Sequence, residues 1–132
     1  MAITSTKCGV WVLDDTYKKV ASGCWAYSIT SSDPGELWSW GYNTFGQLGD
    51  STTIHRSSPV QIPGTSWNDV AGGFYHSLAR KTDGTLWSWG LNNRGQLGDN
   101  TVTHRSSPVQ VPGTSWNDVA AGCSHSLARK SV

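Results

Sequence analysis

Two His-Ser pairs in this sequence have the residue types used in nucleophilic catalysis. His76 precedes Ser77 and His125 precedes Ser126, so each hydroxyl has an imidazole beside it in the chain. A catalytic serine needs a base within hydrogen-bond reach and a third group that orients that base. The pair recurs at the same place in two copies of one unit, which favours a structural role that every copy needs. We therefore expect no catalytic residues and no enzymatic activity.

Two Asp-x-Thr pairs carry oxygen atoms of the kind that bind Ca²⁺. Asp50 precedes Thr52 by two residues, and Asp99 precedes Thr101 in the same way. Both pairs follow segments rich in Gly and Asn, where such a carboxylate more often caps the backbone of a turn. The sequence therefore predicts capped turns, with no metal site and no cofactor.

Aromatic and histidine side chains are the candidates for binding a partner. Residues that differ between near-identical copies tend to lie on the surface, which indicates Tyr42, Phe45, Phe74 and Tyr75. His55 and His104 lie in loops rich in Ser and Thr, where they either contact an anionic sugar or phosphate or are only solvated. Trp67 and Trp116 follow Gly-Thr-Ser turns, where they either stack on a sugar or partner or join one repeat to the next.

The chain is built from two near-copies of one unit. Residues 35–81 align without a gap on residues 84–130, and 36 of these 47 positions are identical. A weaker third copy lies upstream, where 20–23 matches 70–73 and Tyr27-Ser28-Ile29 matches His76-Ser77-Leu78. The spacing predicts one inserted residue between the two parts of this weaker copy.

Each copy has the pattern of short β-strands. Leu86–Trp89 alternates in polarity after an Asp83-Gly84 turn, which predicts a hairpin with Ser77–Arg80. A strand of about four residues lies within 108–113, where the bounding prolines fit a short strand or an edge strand, and 118–120 forms another. Four short strands in each unit of 49 residues predict an all-β fold of antiparallel propeller-type blades.

The N-terminal segment has a different period. Leu13, Tyr17 and Val20 lie at helical spacing, with Asp14 and Asp15 near the start, which predicts a short helix over 13–20. A strand at 20–21 competes with this helix, so both can form only if the helix ends by residue 19. We divide the chain into a leader at 1–19 and propeller repeats at 20–132. The repeats are a divergent first repeat at 20–66, a second repeat at 67–115 and a half repeat at 116–132.

The repeated motifs resemble those of the regulator of chromosome condensation family. They are L-W-S-W-G, N-x-x-G-Q-L-G-D, S-S-P-V-Q and V-A-x-G-x-x-H-S-L-A, in fixed order. The resemblance implies a β-propeller, which in full-length members is a closed ring of seven blades, whereas this chain carries about two and a half repeats. Members include an exchange factor for a nuclear GTPase and an inhibitor of β-lactamases, so the resemblance implies a binding surface and no particular chemistry.

The leader has a second resemblance, to the start of many bacteriophage tail and fibre proteins. Its residues are Gly9-Val10-Trp11-Val12-Leu13, followed by Tyr17. This likeness implies a virion protein, of tail-fibre or capsid-decoration type, that is made in the host cytoplasm. Its surface would serve particle assembly or attachment to the host. The alternatives are a free protein-binding module, exchange-factor-like or inhibitor-like, and a lectin-like propeller that binds glycans.

An incomplete ring predicts self-association. Two and a half blades cannot close, and each exposed large apolar side chain forfeits about 1.5–3 kcal/mol. We expect a homo-oligomer, with a trimer favoured because three chains supply six full blades. Leader residues without a repeat counterpart are the candidates for attachment or oligomer contacts: Trp11, Leu13, Tyr17 and Trp25.

Composition excludes several classes of partner. The formal net charge is +1, from 10 Lys and Arg against 9 Asp and Glu, which argues against a nucleic-acid partner. No apolar run approaches the length of a membrane span, so we expect no membrane insertion. The three cysteines have no C-x-x-C spacing and are expected to be reduced. The expected partners are other copies of this chain, other virion proteins, and a protein or glycan of the host surface.

Overall fold

The computed structural model describes residues 10–11, 17–22, 26–31 and 35–131, with side chains from residue 35 onward. The regular structure within these ranges is entirely β-strand, which agrees with the predicted all-β class. The strands are β1 (Val10–Trp11), β2 (Tyr17–Ser22), β3 (Ala26–Ser31), β4 (Leu37–Gly41), β5 (Arg56–Ile62), β6 (Trp67–Gly72), β7 (His76–Lys81), β8 (Leu86–Gly90), β9 (Arg105–Val111), β10 (Trp116–Ala121) and β11 (Ser126–Lys130).

The strands form three antiparallel sheets, in each of which neighbours in sequence are neighbours in space. The first blade comprises β1 to β5, the second blade β6 to β9, and the half-blade β10 and β11. The second blade confirms the predicted unit of four short strands. No helix in the described ranges is long and apolar enough to cross a bilayer.

The predicted hairpin is present as β7 and β8, with Ser77 opposite Trp89. Its turn is held by Asp83, whose carboxylate accepts hydrogen bonds from the Thr85 N–H at 3.0 Å and from its hydroxyl at 2.7 Å. Gly84 adopts a φ of 84°, a conformation in which a side chain would be strained. The Asp-Gly pair is thus the local cause of this hairpin.

The proline-bounded strand is β9, which runs over seven residues and pairs with β8 alone. Pro108 lies inside it, where a residue without an N–H is tolerated because the strand is at the edge of its sheet. The predicted edge position is therefore confirmed, and the predicted strand at 118–120 lies within β10.

The helix predicted over 13–20 is wrong where the structure describes it. Residues Tyr17–Ser22 form β2, which pairs with both β1 and β3, while Leu13 lies outside the described residues. The positions that suggested a helix also fit a strand, because Tyr17 and Val20 are types that favour extended backbone. Pairing with two neighbouring strands outweighs a short helical pattern.

The weaker copy differs in register from the sequence match. Tyr27 lies opposite Trp40, as Ser77 lies opposite Trp89, so Tyr27 occupies the position of Ser77 rather than that of His76. The extra residue therefore falls in the connection from β3 to β4, not between β2 and β3. A connection at a sheet end accommodates an insertion more easily than a paired strand does.

The core lies on both sides of the second blade. One cluster, between the first and second blades, contains Leu37, Ile62, Trp67, Val70, Ala79 and Trp89. The other, between the second blade and the half-blade, contains Ala71, Leu78, Leu86 and Val119. The second blade is thus packed on both faces.

Antiparallel order brings one set of connections to the same end of the blades. The connections 42–55, 73–75, 91–104 and 122–125 each follow an even-numbered strand and precede an odd-numbered one. We call this the loop end, and it carries the variable aromatic residues found in the sequence.

Candidate binding surface

Six of the predicted binding residues lie together at the loop end. Tyr75 is the centre of the group, with ring centroids 5.2 Å from Phe45, 5.9 Å from Tyr42 and 4.7 Å from Phe74. His55 stacks on Tyr42 at 4.8 Å, and His104 meets the ring of Phe45 at 5.5 Å. We call these six residues the aromatic surface.

The aromatic surface spans two repeats. Tyr42, Phe45 and His55 come from the loop after β4, whereas Tyr75 and His104 come from the second blade. The sequence signal was the variability of these positions between copies. Their contact with one another depends on how the two blades pack, and no spacing within one repeat indicates it.

Both histidines are oriented by the backbone of their own loop. Nδ1 of His55 accepts a hydrogen bond from the Asn43 N–H at 2.9 Å, and Nδ1 of His104 accepts one from the Asn92 N–H at 3.0 Å. An accepting Nδ1 places the proton of the neutral ring on Nε2. Each exposed imidazole therefore presents a donor in a fixed orientation.

A buried asparagine shapes each long loop. Asn43 is fully buried, and its amide nitrogen donates to the carbonyl oxygens of Thr52 and Ile54, both at 3.0 Å. Its amide oxygen accepts from the Leu48 N–H at 2.9 Å. Asn92 makes the corresponding bonds in the next repeat. The N-x-x-G-Q-L-G-D motif thus builds a rigid support for the aromatic surface.

The two aspartates of the motif cap these loops, as predicted. Asp99 accepts from the Thr101 N–H at 3.0 Å and its hydroxyl at 2.7 Å, and from Arg105 Nε at 2.9 Å. Burial alone would raise the pKa of Asp99, but the hydrogen bonds from Thr101, Arg105 and Asn92 outweigh it and lower the pKa to about 2. Asp50 has the same partners in its own loop. Both carboxylates are thus engaged in hydrogen bonds that stabilise the loops.

The tyrosine and phenylalanine rings of the aromatic surface are half-buried, its two imidazoles are exposed, and exposed apolar residues lie in the same loops. Ile54 is 60% exposed and Val102 is 67% exposed, while Arg94 replaces Phe45 in the next repeat and is exposed as well. Aromatic residues and arginine are enriched at the centres of protein interfaces. The surface has the composition of such a centre.

Other predicted site residues lie elsewhere. Trp67 is 3% exposed and lies in the core cluster that also contains Leu37 and Ile62 of the first blade, so it joins two blades and is unavailable to a ligand. Trp116 is half-buried under Lys130, whose Nζ lies 4.6 Å from the ring centroid. Trp11 and Tyr17 lie on β1 and β2, and the remaining attachment candidates, Leu13 and Trp25, lie outside the described residues.

The His-Ser pairs serve packing between blades. The Ser126 hydroxyl donates to the Gln96 carbonyl at 2.7 Å and accepts from His76 Nε2 at 3.0 Å. Burial lowers the pKa of His76 to about 4, which keeps the ring neutral. The Ser77 hydroxyl donates to the Gln47 carbonyl at 2.8 Å, so His76 bonds to the next repeat's serine and not to its neighbour.

Acidic, histidine and cysteine side chains do not gather into a metal site within the described part of the chain. Cys123 is exposed and free, and it occupies the repeat position that Phe74 of the aromatic surface has in the preceding repeat. The arrangement at the loop end can bind a partner through stacked rings and oriented imidazole donors.

Comparison with known families identifies the repeat. The model of the Regulator of chromosome condensation (RCC1) repeat matches residues 34–80 and 83–129, and a second model of the same repeat matches residues 67–96. The Ultraviolet-B receptor UVR8 of Arabidopsis thaliana is 34% identical over 50 residues, which are 38% of this chain and 11% of the receptor.

Solved structures agree in fold. Human WBSCR16 superposes with a TM-score of 0.77 at 26% identity, over 88% of this chain and 31% of that protein. Prp20p of Saccharomyces cerevisiae, studied for its binding to Gsp1p and histones, gives 0.72 at 28% identity, over 86% of this chain and 31% of that one. Yeast RCC1 (Prp20) bound to Kap60 gives 0.70 at 27% identity, over 86% and 30%. This chain therefore spans less than a third of each of these relatives.

Proposed function

Because the chain belongs to the regulator of chromosome condensation repeat family, we propose that it is a non-enzymatic protein-binding module. The observation that carries this proposal is the aromatic surface, where six rings from two repeats meet on rigid loops. The relative Prp20 of Saccharomyces cerevisiae binds Gsp1p, histones and Kap60. Those partners belong to that protein, and they support binding as the general use of the repeat.

The chemistry of the surface favours a protein over a charged ligand. Its acidic neighbours, Asp50 and Asp99, are bonded to Arg56 and Arg105 within their loops, at 2.8 and 2.9 Å between Nε and the carboxylate. The aromatic surface itself is a half-exposed apolar group with imidazole donors at its two ends. Such a surface gains affinity by burying rings against apolar side chains of a partner.

Non-enzymatic function is part of the proposal. The candidate nucleophiles Ser77 and Ser126 donate their hydroxyl protons to main-chain carbonyls, and His76 is buried between blades. The two aspartates of the loops cap turns. These two serines, His76 and the two aspartates are thus held by the fold in structural contacts.

The next repeat supplies a matched variant for the test. Replacing Tyr42, Phe45, Phe74 and Tyr75 by their counterparts Leu91, Arg94, Cys123 and Ser124 gives Y42L/F45R/F74C/Y75S. Each introduced residue already occupies the same place in a folded copy, so the loops should keep their shape. Peptides selected from a random display library on the natural protein should bind this variant at least about tenfold more weakly.

Two readouts separate the outcomes. A glycan array probed with both proteins tests the lectin-like alternative, which predicts carbohydrate binding that the variant loses. Equal peptide binding by the natural protein and the variant would place the contact elsewhere and contradict the proposal. Circular dichroism and unfolding of the variant check that its fold is retained.

A finer proposal places the module in a bacteriophage particle, as part of a tail fibre or capsid decoration. It is supported by the likeness of the leader, whose residues lie largely outside the described ranges. We propose that the leader attaches the repeats to the virion after synthesis in the host cytoplasm. Mass spectrometry of purified particles from the source of this sequence should detect the chain, and its absence from them would contradict this placement.

Self-association is proposed on the same basis as in the sequence. We propose that the chain forms homo-oligomers, trimers in particular, through the leader residues that have no repeat counterpart: Trp11, Leu13, Tyr17 and Trp25. Light scattering coupled to size exclusion should give a trimer mass, whereas a stable monomer at micromolar concentration would contradict it.

A further inference from the structure

Five of the six rings of the aromatic surface form a continuous row across two repeats. Neighbouring ring centroids along the row are 4.8, 5.9, 5.2 and 5.5 Å apart, and Phe74 packs beside its centre against Tyr75. The five rings, in order, are those of His55, Tyr42, Tyr75, Phe45 and His104. A row of this kind offers contacts along its whole length to an extended chain.

Most neighbouring rings of the row are inclined to one another. The plane of Tyr75 makes an angle of 44° with that of Tyr42 and 61° with that of Phe45. The planes of Phe45 and His104 differ by 70°. Inclined rings leave shallow grooves between their faces and edges, and aromatic-lined grooves are the docking sites of proline-rich segments in the polyproline II conformation.

The histidines at the two ends of the row can only donate hydrogen bonds. Nδ1 of His55 accepts from the Asn43 N–H and Nδ1 of His104 accepts from the Asn92 N–H, so the Nε2–H is the remaining polar group of each neutral ring. Both imidazoles are exposed, and among the described residues neither Nε2 has a partner. A ligand of the row must therefore supply hydrogen-bond acceptors.

A polyproline II segment matches these donors better than a helix or a strand does. Its backbone forms no internal hydrogen bonds, so its carbonyl oxygens are free to accept. A proline has no backbone N–H, so it needs no acceptor from the row. A helix uses its carbonyl oxygens internally, and an added strand needs an unpaired strand edge, which a row of loop side chains does not provide.

The carboxylates of the same loops favour the same kind of ligand. Asp50 is bonded to Arg56 at 2.8 Å, and Asp99 to Arg105 at 2.9 Å. A glycan carries hydroxyl groups that donate as well as accept, and these two carboxylates are already engaged. The row and its surroundings thus suit a ligand that has acceptors and few donors.

The spacing of the central rings fits prolines three residues apart. Tyr42 and Phe45 lie 5.9 and 5.2 Å from Tyr75, on either side of it in the row. A polyproline II helix advances about 3.1 Å per residue, or about 9 Å over three residues, which is within the span that these two steps allow. Two prolines in the spacing P-x-x-P can therefore contact Tyr42 and Phe45 together.

Both sides of such a complex are ordered before they meet. The buried amides of Asn43 and Asn92 hold the two long loops that carry most of the row. A proline-rich segment already populates the polyproline II conformation when it is free. Binding therefore costs little additional ordering of either partner.

We propose that the aromatic surface recognises a proline-rich segment of a partner protein in the polyproline II conformation. Prolines spaced as P-x-x-P pack on Tyr42 and Phe45, on either side of Tyr75. The Nε2–H groups of His55 and His104 donate to carbonyl oxygens of the segment. The inference rests on the proposed function, since it names the class of partner for that same surface.

The first test measures binding of a labelled ten-residue oligoproline to the natural protein by fluorescence anisotropy. The control peptide has the same length and label and alternates alanine with serine, which removes both the pyrrolidine rings and the preformed conformation. We expect saturable binding of oligoproline and at least about tenfold weaker binding of the control peptide.

Variants of the protein locate the contact. Y42L/F45R/F74C/Y75S should bind oligoproline at least about tenfold more weakly, because it removes the rings on which the prolines pack. H55N/H104N should bind at least about fivefold more weakly, since Oδ1 of asparagine can replace Nδ1 as the acceptor within the loop while the outward Nε2–H is lost. His125→Asn changes a histidine outside the row and should bind oligoproline normally.

The peptides selected from the random library separate this inference from the proposed function. Selected peptides that need the aromatic surface and carry the P-x-x-P spacing support both. Selected peptides that need this surface but lack proline would overturn the inference and leave the proposed function standing. Equal binding of oligoproline and the control peptide by the folded natural protein would also overturn it, as would oligoproline binding that Y42L/F45R/F74C/Y75S does not weaken.

Discussion

The second blade and the half-blade are nearly identical in sequence over β6–β7 and β10–β11, yet they differ sharply in burial. Leu78 is 1% exposed, whereas Leu127 at the same repeat position is 62% exposed. His76 is buried and His125 is exposed. The second blade has a neighbour on each face and the half-blade has one, so burial here is set by neighbours and not by the residues themselves.

The contrast extends to the hydrogen bonds between blades. The Gln47 carbonyl, in the connection after β4, accepts from two side-chain donors of the second blade, Ser77 and Trp89. The Gln96 carbonyl, in the connection after β8, accepts from one side-chain donor of the half-blade, Ser126. The strands of the blade that packs on each connection thus decide how many of its hydrogen bonds are made.

The largest expected difference in the free energy of unfolding is between Leu78 and Leu127, which occupy the same repeat position. Leu78→Ala should lower the free energy of unfolding by about 3–4 kcal/mol, because it leaves a cavity between blades. Leu127→Ala should change it by less than about 0.5 kcal/mol, since the side chain is mostly in solvent. Urea unfolding followed by tryptophan fluorescence measures both. Equal losses would mean that the half-blade face is covered in solution.

His76 and His125 occupy the same repeat position and give the next largest effect, a dependence of the free energy of unfolding on pH. Burial lowers the pKa of His76 to about 4 from 6.5, so between these values the unfolded chain binds a proton that the folded chain does not. The free energy of unfolding should therefore fall as the pH drops from 6.5 to 4, by roughly 3 kcal/mol in total. The low pKa of Asp99 acts only below this range.

Chemical unfolding at several pH values measures how steeply the free energy of unfolding falls between pH 6.5 and pH 4. His76→Gln should abolish most of this slope, whereas His125→Gln, at the exposed counterpart, should leave it unchanged. A slope that survives His76→Gln would assign the pH dependence to other groups.

Two glycines give a smaller contrast. Gly49 and Gly98 have φ values of 76° and 68°, so alanine strains both by a similar amount, about 1 kcal/mol. At Gly49 the new methyl group also collides with Trp89, which should add about 2 kcal/mol. Thermal unfolding should therefore show a clearly larger loss for Gly49→Ala than for Gly98→Ala. Equal losses would show that Trp89 can move aside.

The smallest contrast is in the lysines that cover tryptophans. Nζ of Lys81 lies 4.8 Å from the ring of Trp67 and 4.7 Å from that of Trp87, whereas Lys130 covers Trp116 alone, at 4.6 Å. Lys81→Gln should cost about 1 kcal/mol and Lys130→Gln about 0.5 kcal/mol. Chemical unfolding at low and high salt tests the order, and a larger loss for Lys130→Gln would reverse the expected ranking.

Local sequence signals predicted the repeat strands and their turns. The Asp83-Gly84 pair and the prolines around β9 act within a few residues, so the hairpin and the edge strand could be placed from the sequence. The helix over 13–20 failed because its short pattern also fits a strand, and pairing with β1 and β3 is decided by distant residues. The register of β3 failed for the same reason, since its pairing with β4 determines it.

The candidate site was predicted only in part. Variability between copies indicated Phe45 and Tyr75, but their ring contact depends on the packing of two blades. Trp67 was left open between binding and packing, and its burial places it in the core. The difference between Gly49 and Gly98 had no signal in the sequence, because their motifs are identical and only the side chains beside them differ.

The most direct test of the central claim is amide hydrogen exchange of β7 and β11 in the same sample. If neighbours determine the difference between the two copies, the amides of β11 should exchange at least about a hundredfold faster than those of β7. Equal protection of the two strands would contradict the account.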